Sequence, residues 1–315
     1  MLHSLRFCCL ALISFLLLSA NGNLVYASCE KVGTAIVFNG GSNPVNENGS
    51  PSDQCGDIPD VYLVTFFKIG LCRSNPATGA IVGGSPDFSS CSFIYNGGAL
   101  NHEITVPATT ALATGQFSIT PGVYPFMVAT FSNKLGIKNT ITFNNDVQGL
   151  GGTSGPACWT SGGLTTFHNE VFSTAHGLAT IGKTIECGAV EAAAPEFNFE
   201  VLTHFDGPND SCIDFTAGDG TEFDNGGFFQ PASGGFDETT ARVLKSDGSY
   251  ADGCSNSARM LWVMKLASPA SISPTSQFRL DFKLTDSVSI DFDSSDASIV
   301  KMGNDPFQMR FSATP

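Results

Sequence analysis

Asp214, Asp219, Glu222 and Asp224 lie among Gly218, Gly220, Gly226 and Gly227. Carboxylate oxygens are the hard ligands that calcium takes, and a glycine-rich backbone folds readily around an ion. The spacing departs from an EF-hand loop, which opens Asp-x-Asp-x-Asp/Asn-Gly and places a glutamate at its twelfth position. The plainer reading is a solvated polar loop, and calcium is the sharper one. Asp291, Asp293 and Asp296 form a second, weaker cluster near a strand end. No other cofactor is expected.

Catalytic motifs are largely missing. There is no Gly-x-Ser-x-Gly, His-Glu-x-x-His or Walker-type Gly-Lys-Ser/Thr, so the best-marked serine hydrolases, zincins and NTPases lose support. His168, His176 and His204 would have to meet in space to bind a metal or act as a base. None sits in a ligand-spaced pair, which favours surface histidines. A glycosidase-type carboxylate pair is a property of space and leaves no mark on the sequence. The 26 Phe against 5 Tyr and 2 Trp favour a core over a wet sugar platform, because Phe has no polar handle. Trp159 and Trp262 are the residues left for a glycan. A non-enzymatic protein is the favoured expectation.

The cysteines carry the remaining covalent chemistry. Eight follow the leader: Cys29, Cys55, Cys72, Cys91, Cys158, Cys187, Cys212 and Cys254. An even set in an exported chain reads as disulfides, and no Cys-x-x-Cys marks a zinc ribbon or a redox site. Pairing between neighbours along the chain keeps each bridge within one hairpin: Cys29 with Cys55, Cys72 with Cys91, Cys158 with Cys187, Cys212 with Cys254.

Export is read from residues 1–27. Arg6 opens an apolar run from Phe7 to Leu18, and Val25-Tyr26-Ala27 gives a small-residue cleavage pattern. That run is shorter than the roughly 20 residues a membrane span needs, so a secreted chain without a transmembrane segment is expected. Net charge is −14, a sign that disfavours nucleic acid and anionic lipid as partners.

The elements that would position these groups are strands. Val61 to Cys72 is β-branched and aromatic with both faces apolar, which demands cover on both sides. Arg259 to Leu266 is its counterpart. Phe197, Phe199, Val201, Thr203 and Phe205 alternate with Glu196, Asn198, Glu200, Leu202 and His204, which predicts one dry face and one mostly wet. Near the end, Phe278 to Leu284, Val288 to Phe292 and Phe307 to Phe311 alternate cleanly. The pattern predicts an all-β, antiparallel, sandwich-like fold in two disulfide-stapled modules, 28–147 and 157–315, joined by a glycine-rich linker at 148–156. Function is expected to be that of an extracellular structural or surface protein, a subunit of a filament, surface layer or adhesive fibre. Its terminal strands, Val32 to Phe38 and Phe307 to Phe311, would pair with sheet edges of a neighbour. The competing expectation is a calcium-dependent or glycan-binding domain, or a glycan-active enzyme.

Overall fold

A computed structural model describes residues 28–38, 54–77, 84–105, 119–149, 152–165, 185–202, 228–230, 237–252, 256–292, 299–304 and 307–314. The fold is nearly all β: 71% lies in strands and no helix is present among the described residues. In order the strands are β1 (Lys31–Val32), β2 (Ala35–Ile36), β3 (Gln54–Asp57), β4 (Val61–Cys72), β5 (Cys91–Thr105), β6 (Gly122–Ser132), β7 (Lys134–Lys138), β8 (Thr140–Gly149) and β9 (Ser154–Thr165). They continue with β10 (Ile185–Gly188), β11 (Glu196–Val201), β12 (Phe228–Gln230), β13 (Glu238–Leu244), β14 (Arg259–Ile272), β15 (Gln277–Lys283), β16 (Val288–Phe292), β17 (Ile299–Asn304) and β18 (Gln308–Thr314).

Sixteen strands form one large mixed sheet: twelve follow the path β12-β13-β14-β6-β4-β7-β11-β9-β8-β17-β16-β3, and β1, β2, β5 and β10 join it at the side, while β15 and β18 form a separate two-stranded ribbon. β4 holds the centre. Along one edge it pairs with β5, and along the other it meets β6 at its C-terminal half and β7 at its N-terminal end. β6, β7 and β8 are one course of chain interrupted at Asn133 and Asn139, which are 4% and 1% exposed. Each interruption is held by hydrogen bonds that replace the lost ladder. The Asn133 amide nitrogen donates to the Ser257 carbonyl at 3.1 Å, and its backbone N–H donates to the Ala258 carbonyl at 3.3 Å. Asn139 exchanges backbone contacts with Thr160, whose N–H donates to the Asn139 carbonyl at 3.0 Å and whose hydroxyl accepts the Asn139 N–H at 3.2 Å. A buried asparagine thus satisfies the backbone where the chain leaves one partner strand for another.

Gln148–Pro156, read above as the boundary between modules, contributes the end of β8 and the start of β9. These strands pair with each other through Val147 with Gly155 and Gln148 with Ser154. Gly155 (φ +158°) lies so close to Gly188 that a Cβ would stand 2.1 Å from its carbonyl carbon, so close backbone approach demands glycine there.

Three disulfides join Cys29–Cys55, Cys72–Cys91 and Cys158–Cys187. The last two link directly opposed residues of β4 and β5 and of β9 and β10. Cys212 and Cys254 lie outside the described residues. Tyr62, Val64 and Phe66 of β4 point into the main core with Phe131, Trp262 and Phe307. Phe307 is the hub: its ring centre lies 5.3 Å from Tyr62, 5.5 Å from Phe131, 5.1 Å from Trp262 and 5.5 Å from Phe282. On the opposite face a second core of Cys72, Val128, Leu244, Tyr250, Leu261 and Val263 covers one end of the sheet.

Phe307→Ala is expected to cost about 3 to 5 kcal/mol, the range for emptying a buried aromatic site. Urea unfolding measures it; a loss below about 1 kcal/mol would show that this ring does not hold the ribbon to the sheet.

Candidate functional site

The carboxylates expected as calcium ligands, Asp214, Asp219, Glu222 and Asp224, and the histidines His168, His176 and His204, lie outside the described residues, as do Asp293 and Asp296. Among the described residues no three His, Cys, Asp or Glu side chains are grouped to hold a metal. Trp159 and Trp262 are 3% and 1% exposed, so neither offers a sugar platform. Three regions remain where described side chains or backbone have chemistry to offer.

The first is the ribbon. β15 and β18 run antiparallel in uninterrupted register from Gln277 with Thr314 to Lys283 with Gln308. Period-two patterning places Phe282, Met309 and Phe311 on the side facing the core. Across the strands Asp281 accepts from Arg310 Nη2 at 2.9 Å, and along its own strand it accepts from Arg279 Nε. Partial burial works against the charged carboxyl, but the hydrogen bonds from Arg310 and Arg279 and their charges outweigh it and hold its pKa below the ordinary 3.8. His102 of β5 lies 6.5 Å, ring to ring, from Phe282, and burial lowers its pKa from the ordinary 6.5. Neither strand of the ribbon has a second partner among the described strands. No described strand pairs with either outer edge, and an unpaired strand edge is a template for adding another strand.

The second region is the polar interior at β11, which reverses the expected orientation. Asn198 and Glu200 are fully buried, whereas Phe197 and Phe199 are half-buried and face outward. The inward groups serve β17. Glu200 accepts the Asn304 backbone N–H, the Asn198 amide donates to the Met302 carbonyl at 3.3 Å, and the Asn304 amide donates to the Leu135 carbonyl at 2.6 Å. A strand end buried against β11 needs acceptors and donors, and these side chains supply them.

The third region is the outward face of β11 and of its neighbours β7, β4 and β14. Lys134 Nζ stands 4.3 Å from the Phe199 ring centre, Lys138 Nζ 4.3 Å from Phe197, and the Arg259 guanidinium 3.9 Å from Phe67. These cations cover rings that the sequence pattern assigns to a core. No sequence signal located this face, because each pair forms across strands.

Comparison with known proteins gives no match to a family model, a curated protein or a solved structure.

Hydrogen-exchange protection of β15 and β18 amides is expected to fall with acid in two steps. The His102 contribution is full above pH 6.5, its unfolded value, and is lost as pH falls through the lower folded value. The Asp281 contribution is full above pH 3.8 and is lost as pH falls through its own depressed folded value. His102→Leu should remove only the first step, and a first step that survives this substitution would assign it elsewhere.

Proposed function

We propose that this chain is an extracellular, non-enzymatic structural subunit that joins copies of itself by β-strand pairing. The observation that carries the reading is the terminal ribbon: it is anchored on one apolar face by the Phe307 cluster, while both of its strand edges lack a described partner. A strand added there gains main-chain hydrogen bonds and leaves the core untouched. Three intramolecular disulfides are consistent with an oxidising, extracellular environment, and the export reading of residues 1–27 agrees with it. A sandwich-like packing of the ribbon over the sheet, with two modules along the chain, belongs to the same proposal.

Edge addition is favoured over donation of the chain ends. Ile36 and Phe38 are 1% and 2% exposed, β2 pairs with β8, and the Phe38 N–H donates to Asn144 Oδ1 at 2.7 Å. Withdrawing that segment would open the subunit's own core. Phe307 is likewise committed to its own chain.

Adjacent proline variants test the reading. Successive residues of an antiparallel strand point their N–H groups alternately at the partner and at the open edge. Of Ser312→Pro and Ala313→Pro, one removes a β15–β18 bond and the other an outward N–H. Negative-stain imaging and light scattering of the mature chain should show ordered assemblies, lost in the outward variant while its melting temperature stays near wild type. A wild-type chain that remains monomeric at all concentrations overturns the proposal.

A further inference from the structure

Four cations share the outward face of β4, β7, β11 and the start of β14: Lys68, Lys134, Lys138 and Arg259. The surface is continuous. Lys134 is cross-strand from Val201, Arg259 from Ser132, and Lys68 from Thr130. Between the lysines, Gly136 sits under the Phe199 ring and beside Leu63, where an added Cβ would stand 2.9 Å and 3.3 Å from them. None of the four is in ion-pair distance of a carboxylate among the described residues, in contrast to Lys31, Lys245, Lys265, Arg279 and Arg310, which all are. Lys68 lies instead near the Phe93 ring, at 5.2 Å, and donates to Asn96. Burial, and then the charge of Arg259 beside it, lower the Lys68 pKa below the ordinary 10.5. Glu103, exposed and opposite Leu63 on β5, borders this face without pairing to it.

We infer that this cationic aromatic face is the contact surface for an acidic surface on a second copy of this chain. The inference rests on the self-association proposed above and adds to it the polarity of the contact. Charge complementarity carries it. The chain has net charge −14, so copies repel one another unless one surface has the opposite sign. This face has that sign, and exposed acids such as Asp146 on β8, Glu191 between β10 and β11, and Asp247 between β13 and β14 are available on a neighbour. The ring geometry favours a carboxylate over a sugar. Lys134 and Lys138 already lie over the Phe199 and Phe197 rings, so a sugar stacking there would displace them, whereas a carboxylate only has to approach their remaining N–H groups. Because the cationic face and the acidic surface are different patches, the contact is head-to-tail and propagates as an open chain.

Sedimentation velocity on the mature chain at low and high salt tests this with Lys134→Glu/Lys138→Glu and the milder Lys134→Gln/Lys138→Gln. The glutamate pair should weaken self-association at low salt by roughly tenfold or more, the glutamine pair by less, and salt should weaken the wild type. Glutamate-pair copies keep their acidic surface, so mixed with wild type they should shorten the assemblies by capping one end. If both variants fold with wild-type melting and assemble as wild type does, the inference falls while edge pairing stands. If they lose assembly while neither Ser312→Pro nor Ala313→Pro does, edge pairing falls and the cationic face stands. A wild type that is monomeric at low salt overturns both.

Discussion

The packing of Phe307 against Trp262, 5.1 Å between ring centres and nearly parallel, is the contact on which the architecture turns. Phe307 immediately precedes β18, so its burial fixes where the ribbon starts and which face it turns inward. β18 then positions β15 through seven cross-strand pairs, and Phe282 returns to the same aromatic cluster. Aromatic rings are suited to this task because edge and offset contacts add directional preference to a large buried area. With the apolar side consumed by the core, the ribbon's hydrogen-bonding edges are the part left over.

β11 shows how tertiary context reassigns an amphipathic strand. Alternation along Phe197–Val201 marks two faces but does not say which is covered. The end of β17 packs against the inner side of β11 and needs polar partners, which Glu200 and Asn198 provide. The aromatic side is left to the outside, where Lys134 and Lys138 shield the rings with their charged heads over them. A buried backbone N–H without an acceptor costs about 1 to 3 kcal/mol, comparable with the roughly 1.5 to 3 kcal/mol of burying one apolar side chain. Hydrophobic pattern alone therefore cannot decide the orientation of such a strand.

What was legible in the chain is the material that depends on local pattern. Val61 to Cys72 emerges as a central strand, buried on both faces over Ile69 to Cys72 and on one face before that, and Phe278 to Lys283 as a half-exposed one. Less legible were events that depend on distant segments. Ser132-Asn133 looks like a turn between two hairpin strands, yet the chain runs on through it along β4, because Asn133 finds its partners at Ser257 and Ala258. The candidate surfaces were hidden for the same reason: the Arg259–Phe67 and Lys134–Phe199 contacts join strands far apart or mutually offset.

The open edges are not equivalent, and the difference bears on how copies would meet. β5 is long and has only β4 beside it among the described strands, but its ladder skips between Lys68 with Asn96 and Phe66 with Leu100. The three residues Gly97, Gly98 and Ala99 there stand opposite a single residue of β4, a bulge that breaks the edge into two short pieces. β3 is partly occupied, since Ser28 bridges to Gly56 and the Cys29 N–H donates to the Gly56 carbonyl at 2.9 Å. Bulging and covering are the ordinary ways in which a sheet protects its margins. The ribbon has no bulge, for its register is regular from end to end, and no described strand pairs along its edges. Asp281 pairs with Arg279 on its own strand and with Arg310 across the ribbon, which offsets part of the ribbon's positive charge. Among the described edges, those of the ribbon are therefore the best suited to pairing, on an element that the Phe307 cluster anchors to the sheet.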